Sequence, residues 1–217
     1  AGRPFTLSLV FLSAAPVSAQ DVIPGQTRRP SLRAGPANGA ISMDGRLDEG
    51  AWARADSIAN LTQIEPVEGQ APTGRTVVRV LVTGDAIIFG IRADDPDAAH
   101  ITSFSRNRDA SLTSEDHIRV VLDTYMDGRS GYVFIVNPYG ARYDALVANQ
   151  GEGENAQWDA IWEAATHRDG AGWSAEIRIP VRSLLFKSGP TQWGFNVERR
   201  IQRLLESSRW ASPDRDV

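Results

Sequence analysis

A chain of 217 residues with 41% hydrophobic content can bury a sizeable core without covalent staples, and the absence of cysteine removes thiol catalysis, zinc-thiolate sites and disulfides from consideration. Its 27 acidic and 23 basic side chains leave a formal charge of −4. No basic stripe interleaved with aromatics runs through it, so the footprint of a nucleic-acid partner is missing.

At the amino terminus Arg3 precedes an apolar run from Phe5 to Ala15 that is too short to span a bilayer, and Pro16-Val-Ser-Ala19 supplies the small residues of a cleavage site. Residues 1–19 therefore read as a secretory signal peptide, in a chain whose missing initiating Met suggests a slightly shortened start. Residues 20–38 are rich in Pro, Gly, Arg and Gln and have no hydrophobic period, which predicts a flexible linker in which nothing packs. Order is expected from about residue 39. Leu47, Ala51, Trp52 and Ala55 fall at helical spacing, predicting a short helical turn capped by Asp48, with Trp52 as a core plug.

Ile58 to Ile64 reads as one strand. Thr76 to Thr83 and Ala86 to Ala93 flank Gly84-Asp85, a two-residue hairpin signal. Asp94, Asp95 and Asp97 then place three carboxylates within four residues, either as oxygen ligands for a hard cation such as calcium or as a solvated turn. The glycine placement of a dedicated calcium loop is absent.

The stretch from Asp116 to Leu146 predicts three antiparallel strands joined at Asp127-Gly128 and at Pro138-Tyr-Gly140. Ile118, Val120 and Leu122 mark the core face. The opposite face carries Arg119, Val121, Val133, Ile135 and Asn137, and is either half-covered or open as a shallow binding surface. Trp173, Ala175, Ile177 and Ile179 give the cleanest alternation in the chain, with Ser174, Glu176 and Arg178 expected to face out. Pro180 to Leu185 predicts one helical turn. Gln192 to Ile201 predicts a strand with Trp193, Phe195 and Val197 on one face and Asn196, Glu198 and Arg200 on the other. Many short strands and no long amphipathic helix predict an all-β fold, an antiparallel β-sandwich of jelly-roll kind with short helical turns.

A glycosidase needs two carboxylates facing each other across a cleft at about 5–10 Å. The acidic residues here lie mostly in turns, and Glu176 and Glu198, each near arginines on a strand, read as a solvated or ion-paired face. His100, His117 and His167 have no metal spacing and no serine sits in an elbow motif, so the domain is expected to be non-catalytic.

Taken together, Ile41 to Trp52, the Val78 to Pro96 hairpin, Glu115 to Asp123, Trp173 to Pro180 and Gly194-Phe-Asn196 resemble the family 9 carbohydrate-binding modules over residues 39–212. More closely, the chain resembles the amino-terminal part of exported bacterial proteins in which such a module precedes a TonB-receptor-like outer-membrane barrel, with residues 213–217 beginning the connection. The resemblance implies carbohydrate as partner, location in the periplasm, outer membrane or cell surface of a bacterium, and structural calcium. It also implies a sugar clamp of two aromatics and polar sheet residues. Carried over position by position, the clamp falls on Arg119, Asn196, Glu198 and Trp210, while Leu112 to Ser114 offers no first aromatic and Ile135 replaces a hydrogen-bonding residue. Two other roles remain open on this reading: a docking domain whose apolar Val121, Val133 and Ile135 meet a barrel or another envelope partner, and an accessory domain of a glycoside hydrolase.

Overall fold

The computed structural model describes residues 30–148, 153–187 and 192–211. The signal-peptide segment, the first part of the linker and the connection at 213–217 lie outside the described residues. Two sheets face each other, as the all-β sandwich reading expects. Strands are β1 (Gly35–Pro36), β2 (Ser57–Ile58), β3 (Thr62–Glu65), β4 (Thr76–Val82), β5 (Ala86–Asp94), β6 (His117–Asp123), β7 (Gly131–Val136), β8 (Arg142–Ala148), β9 (Gly153–Asn155), β10 (Glu163–Asp169), β11 (Gly172–Pro180), β12 (Gly194–Ile201) and β13 (Glu206–Arg209). The first sheet runs β1-β4-β5-β11-β10 with β2 beside β4, and the second runs β3-β13-β12-β6-β7-β8-β9.

Alternation dictates the core. Val78, Val80, Phe89, Ile91, Trp173, Ala175, Ile177 and Ile179 of the first sheet meet Ile118, Val120, Leu122, Phe134, Val136 and Val197 of the second in one apolar cluster. Fully burying side chains of this size contributes about 1.5–3 kcal/mol each, so the interior between the sheets sets the fold. The hairpin β4–β5 and the meander β6–β7–β8 form with the registers that their patterns predict. In the meander's second turn Gly140 takes φ +80°, a left-handed value that favours glycine.

Four local expectations change. The described end of the linker is packed: Leu32 and Ala34 lie against the core, and Gly35–Pro36 pairs parallel to Leu81–Val82, because the edge of β4 offers free backbone groups. That pair is the one parallel contact among the described strands. Ile58 to Ile64 splits into β2 and β3, which join different sheets. The helical turn, α1 (Gly50–Arg54), starts after Glu49 rather than Asp48, and no side chain caps it. Finally, Glu176 does not face water. The segment before α1 folds over the outer face of the first sheet, burying Ser174 and Glu176 beneath Gly45 and Trp52.

Candidate functional site

The outer face of the second sheet carries the chemistry. Register pairs Arg209 with Glu198, Glu198 with Arg119, Arg119 with Ile135 and Ile135 with Tyr143, so these residues form one row across β13, β12, β6, β7 and β8. Along the row, Arg209 Nε and Nη2 donate to Glu198 Oε2 at 3.3 and 3.1 Å. Arg119 pairs with Glu154 of β9, and the Tyr143 hydroxyl donates to the other Glu154 oxygen at 3.4 Å. Partial burial, and next to it the Glu154 carboxylate, pushes the Tyr143 phenol up. The four charged side chains of the row retain between 22 and 32% exposure, enough to exchange partners with a ligand while their stems stay fixed by the sheet.

One end of this row is closed by the loop at 102–113. Leu112 and Ala110 cover Val133, Ile135 and Ala145, so the apolar part of the face is buried rather than open. Glu115 fastens the loop by accepting hydrogen bonds from Phe104 N at 2.8 Å and Ser105 N at 3.2 Å, and a further one from Asn137 Nδ2 at 2.8 Å. Burial would raise the Glu115 carboxyl, but these donors outweigh it and hold the pKa below the ordinary range. Phe104 itself projects to solvent with 61% exposure. Beside the row, His117 is pushed down by burial, its Nδ1 lying 2.9 Å from the Glu115 carbonyl.

The four residues expected to bind sugar divide into two pairs. Arg119 and Glu198 are register partners on the open face. Asn196 and Trp210 are structural. Asn196 Nδ2 donates to the Ala211 carbonyl at 2.6 Å, and Oδ1 accepts from Ala211 N at 3.0 Å and from Val197 N at 2.9 Å, so its amide pins the chain after β13. Trp210 is only 8% exposed and stacks on Phe195 with centroids 4.8 Å apart. It points into the core, on the opposite side from Glu198, so it cannot serve as a clamp on this face. Sequence reasoning missed Glu154 and Arg209 because only the strand order brings β9 and β13 into the row, and it missed Tyr143, which the register of the meander opposite Ile135 could have supplied.

The three carboxylates proposed as cation ligands do not converge. Asp94 pairs with Arg92 at 2.8 Å, Asp95 is gripped by Arg203 at 2.6 and 2.7 Å, and Asp97 faces His100 at 2.7 Å. Among the described residues, no group of three acidic or histidine side chains is arranged to hold a metal ion. Asp95 belongs to an interior network, since the buried Arg199 guanidinium lies 3.9 Å from it and also donates to Thr76 Oγ1 at 3.2 Å.

No protein-family model matches the chain, and no curated protein sequence does. Solved structures do. A family 9 carbohydrate-binding module from Caldicellulosiruptor kristjanssonii in complex with glucose superposes with a TM-score of 0.55 at 15% identity, covering 83% of this chain and 89% of the module. The same kind of module from that organism in complex with cellotriose gives 0.54 at 13% identity, covering 81% and 86%. At these identities the likeness is one of fold, and the chain is built on the fold of the family 9 carbohydrate-binding modules.

Proposed function

We propose that this chain is a non-catalytic carbohydrate-binding domain of an exported bacterial envelope protein, binding sugar on the outer face of its second sheet. The observation that carries the reading is the partly exposed row Arg209, Glu198, Arg119, Glu154 and Tyr143. Paired guanidinium and carboxylate groups offer adjacent donors and acceptors, the arrangement that vicinal hydroxyls can match, and a sheet holds them with little ordering cost. The fold shared with modules bound to glucose and cellotriose supports the same reading. Export is supported by the sequence of residues 1–19.

A docking role for the same face is less well supported. It rests on the missing first aromatic and on the apolar Val121, Val133 and Ile135, and of these Val133 and Ile135 are buried beneath Leu112. Isothermal titration with cellotriose tests the sugar reading. Saturable binding that falls at least about tenfold in Glu198→Gln and in Arg119→Ala, each removing hydrogen bonds to the ligand, is expected. Unchanged affinity in both variants would remove the site from this face, and no binding by the native chain would return the docking role to first place.

A further inference from the structure

Away from that row, the edge strand β10 of the first sheet passes the β7–β8 turn of the second. Thr166 Oγ1 donates to the Pro138 carbonyl at 3.2 Å there, tying the two together. The next residue of the turn, Tyr139, carries two guanidinium groups: the central carbon of Arg106 is 4.2 Å from its ring centroid and that of Arg168 is 5.3 Å away. Three segments far apart in sequence thus converge on one ring that remains 38% exposed.

What distinguishes this cluster is its uncompensated charge. Acidic residues close by in sequence are committed elsewhere, Asp109, Asp144 and Asp159 to Arg108 and Asp169 to Arg92. Among the described residues neither Arg106 nor Arg168 makes an ion pair. Like charges gathered on one aromatic repel each other, and the ring supports both side chains in place while leaving their donor edges free. Arg108, two residues on from Arg106, and Arg142, three on from Tyr139, line an open cleft of about 430 Å³ with Asp159, Ala160, Ile161 and Trp162. Planar guanidinium groups match the paired oxygens of a carboxylate or sulfate.

We propose that this seam binds the carboxylate group of an acidic sugar, with Arg106 and Arg168 gripping the anion beside Tyr139 and the adjoining cleft receiving the sugar ring. The inference rests on the carbohydrate-binding reading and narrows it to anionic glycans, at a site separate from the outer-face row.

Calorimetric titration of the full chain with trigalacturonate, with cellotriose and with sodium sulfate tests it, each at low and at physiological salt. Trigalacturonate should bind with an affinity that weakens as salt rises and that drops about tenfold in Arg106→Gln and in Arg168→Gln, as loss of one charge-assisted pair requires. Arg129→Gln, at the remote β6–β7 turn, should change nothing, and cellotriose binding should be indifferent to all three substitutions. Equal binding of the two sugars, unaffected by Arg106→Gln or Arg168→Gln, would overturn the anionic site and leave the sugar-binding reading standing. Failure of both sugars to bind would overturn both. Sulfate binding without trigalacturonate binding would reduce the seam to an inorganic-anion site and overturn the assignment to a sugar.

Discussion

Glu176 on β11 accepts a hydrogen bond at 3.2 Å from the indole of Trp52, 124 residues earlier in the chain. Its second oxygen accepts from Asp44 N at 3.0 Å and Gly45 N at 2.9 Å, so one carboxyl latches the whole segment before α1 onto the first sheet. Gly45 is required at the latch. It adopts φ +83°, and a Cβ there would lie 2.3 Å from the backbone of Thr166.

The latch should make stability depend on pH. Burial, opposed by the three donors and reinforced by Glu49, pushes the Glu176 carboxyl up to about 7. A raised folded pKa means that the fold favours the protonated form. Its contribution is complete below the ordinary glutamate pKa of 4.5 and is lost as pH rises through about 7. A loss on the order of 3 kcal/mol follows from a shift of this size. Denaturant midpoints at pH 5 and pH 8 check it: the native chain should weaken at pH 8 while Glu176→Gln stays flat. A native chain equally stable at both would mean that the three donors outweigh burial.

Asn196→Ala and Trp210→Ala separate structural residues from binding ones. The first leaves Ala211 without its partners and should cost roughly 1–3 kcal/mol, and the second opens a cavity against Phe195 worth roughly 3–5 kcal/mol. Thermal unfolding should register both. Sugar affinity measured well below the melting temperature should be unchanged in each, and a selective loss of binding in Trp210→Ala would restore the clamp role that its burial argues against.

These two residues also mark what the sequence could disclose. Period-two alternation placed Ile118, Val120 and Leu122 inside and Arg119 outside, and it placed Phe195 and Val197 opposite Asn196 and Glu198. All of that is legible because a strand's side chains alternate by geometry alone. What covers each face is not legible. Glu176 alternates as an outward residue and is buried because a segment more than a hundred residues away folds over it. Trp210 lies beyond the last clear alternation, so no pattern assigns it a side. The row of Arg209, Glu198, Arg119, Glu154 and Tyr143 depends on a strand order that brings β12 and then β13 to one flank of the meander and β9 to the other, and no local pattern encodes such long-range pairing.

Asp95 should behave as a structural anion. Burial alone would raise its carboxyl, but the paired hydrogen bonds from Arg203 hold it below the ordinary range, so its contribution is present at neutral pH and is lost as the solution becomes acidic. Asp95→Asn leaves two arginines facing a neutral amide in the interior and should cost roughly 3–5 kcal/mol. Melting temperatures recorded with excess calcium and with excess chelator should agree for the native chain, and calcium should not rescue the variant. A chelator-induced drop would reopen the calcium role for this turn.

Glu115 offers the last test, because it fastens the loop that makes the outer face polar. Its carboxylate holds Phe104 N, Ser105 N and Asn137 Nδ2 at once, and Leu112 of the same loop seals Val133 and Ile135. Glu115→Ala strands those donors without a partner, costing roughly 1–3 kcal/mol for each that water cannot reach. The loop should then loosen before the sandwich does, since the inter-sheet core is untouched. Hydrogen exchange should speed up at Phe104 and Ser105 while β5 and β11 keep their protection, and a dye that binds exposed apolar surface should brighten as Val133 and Ile135 open. Uniform loss of protection across both sheets would instead assign Glu115 to the core, and the loop would not be a separable cover over the candidate site.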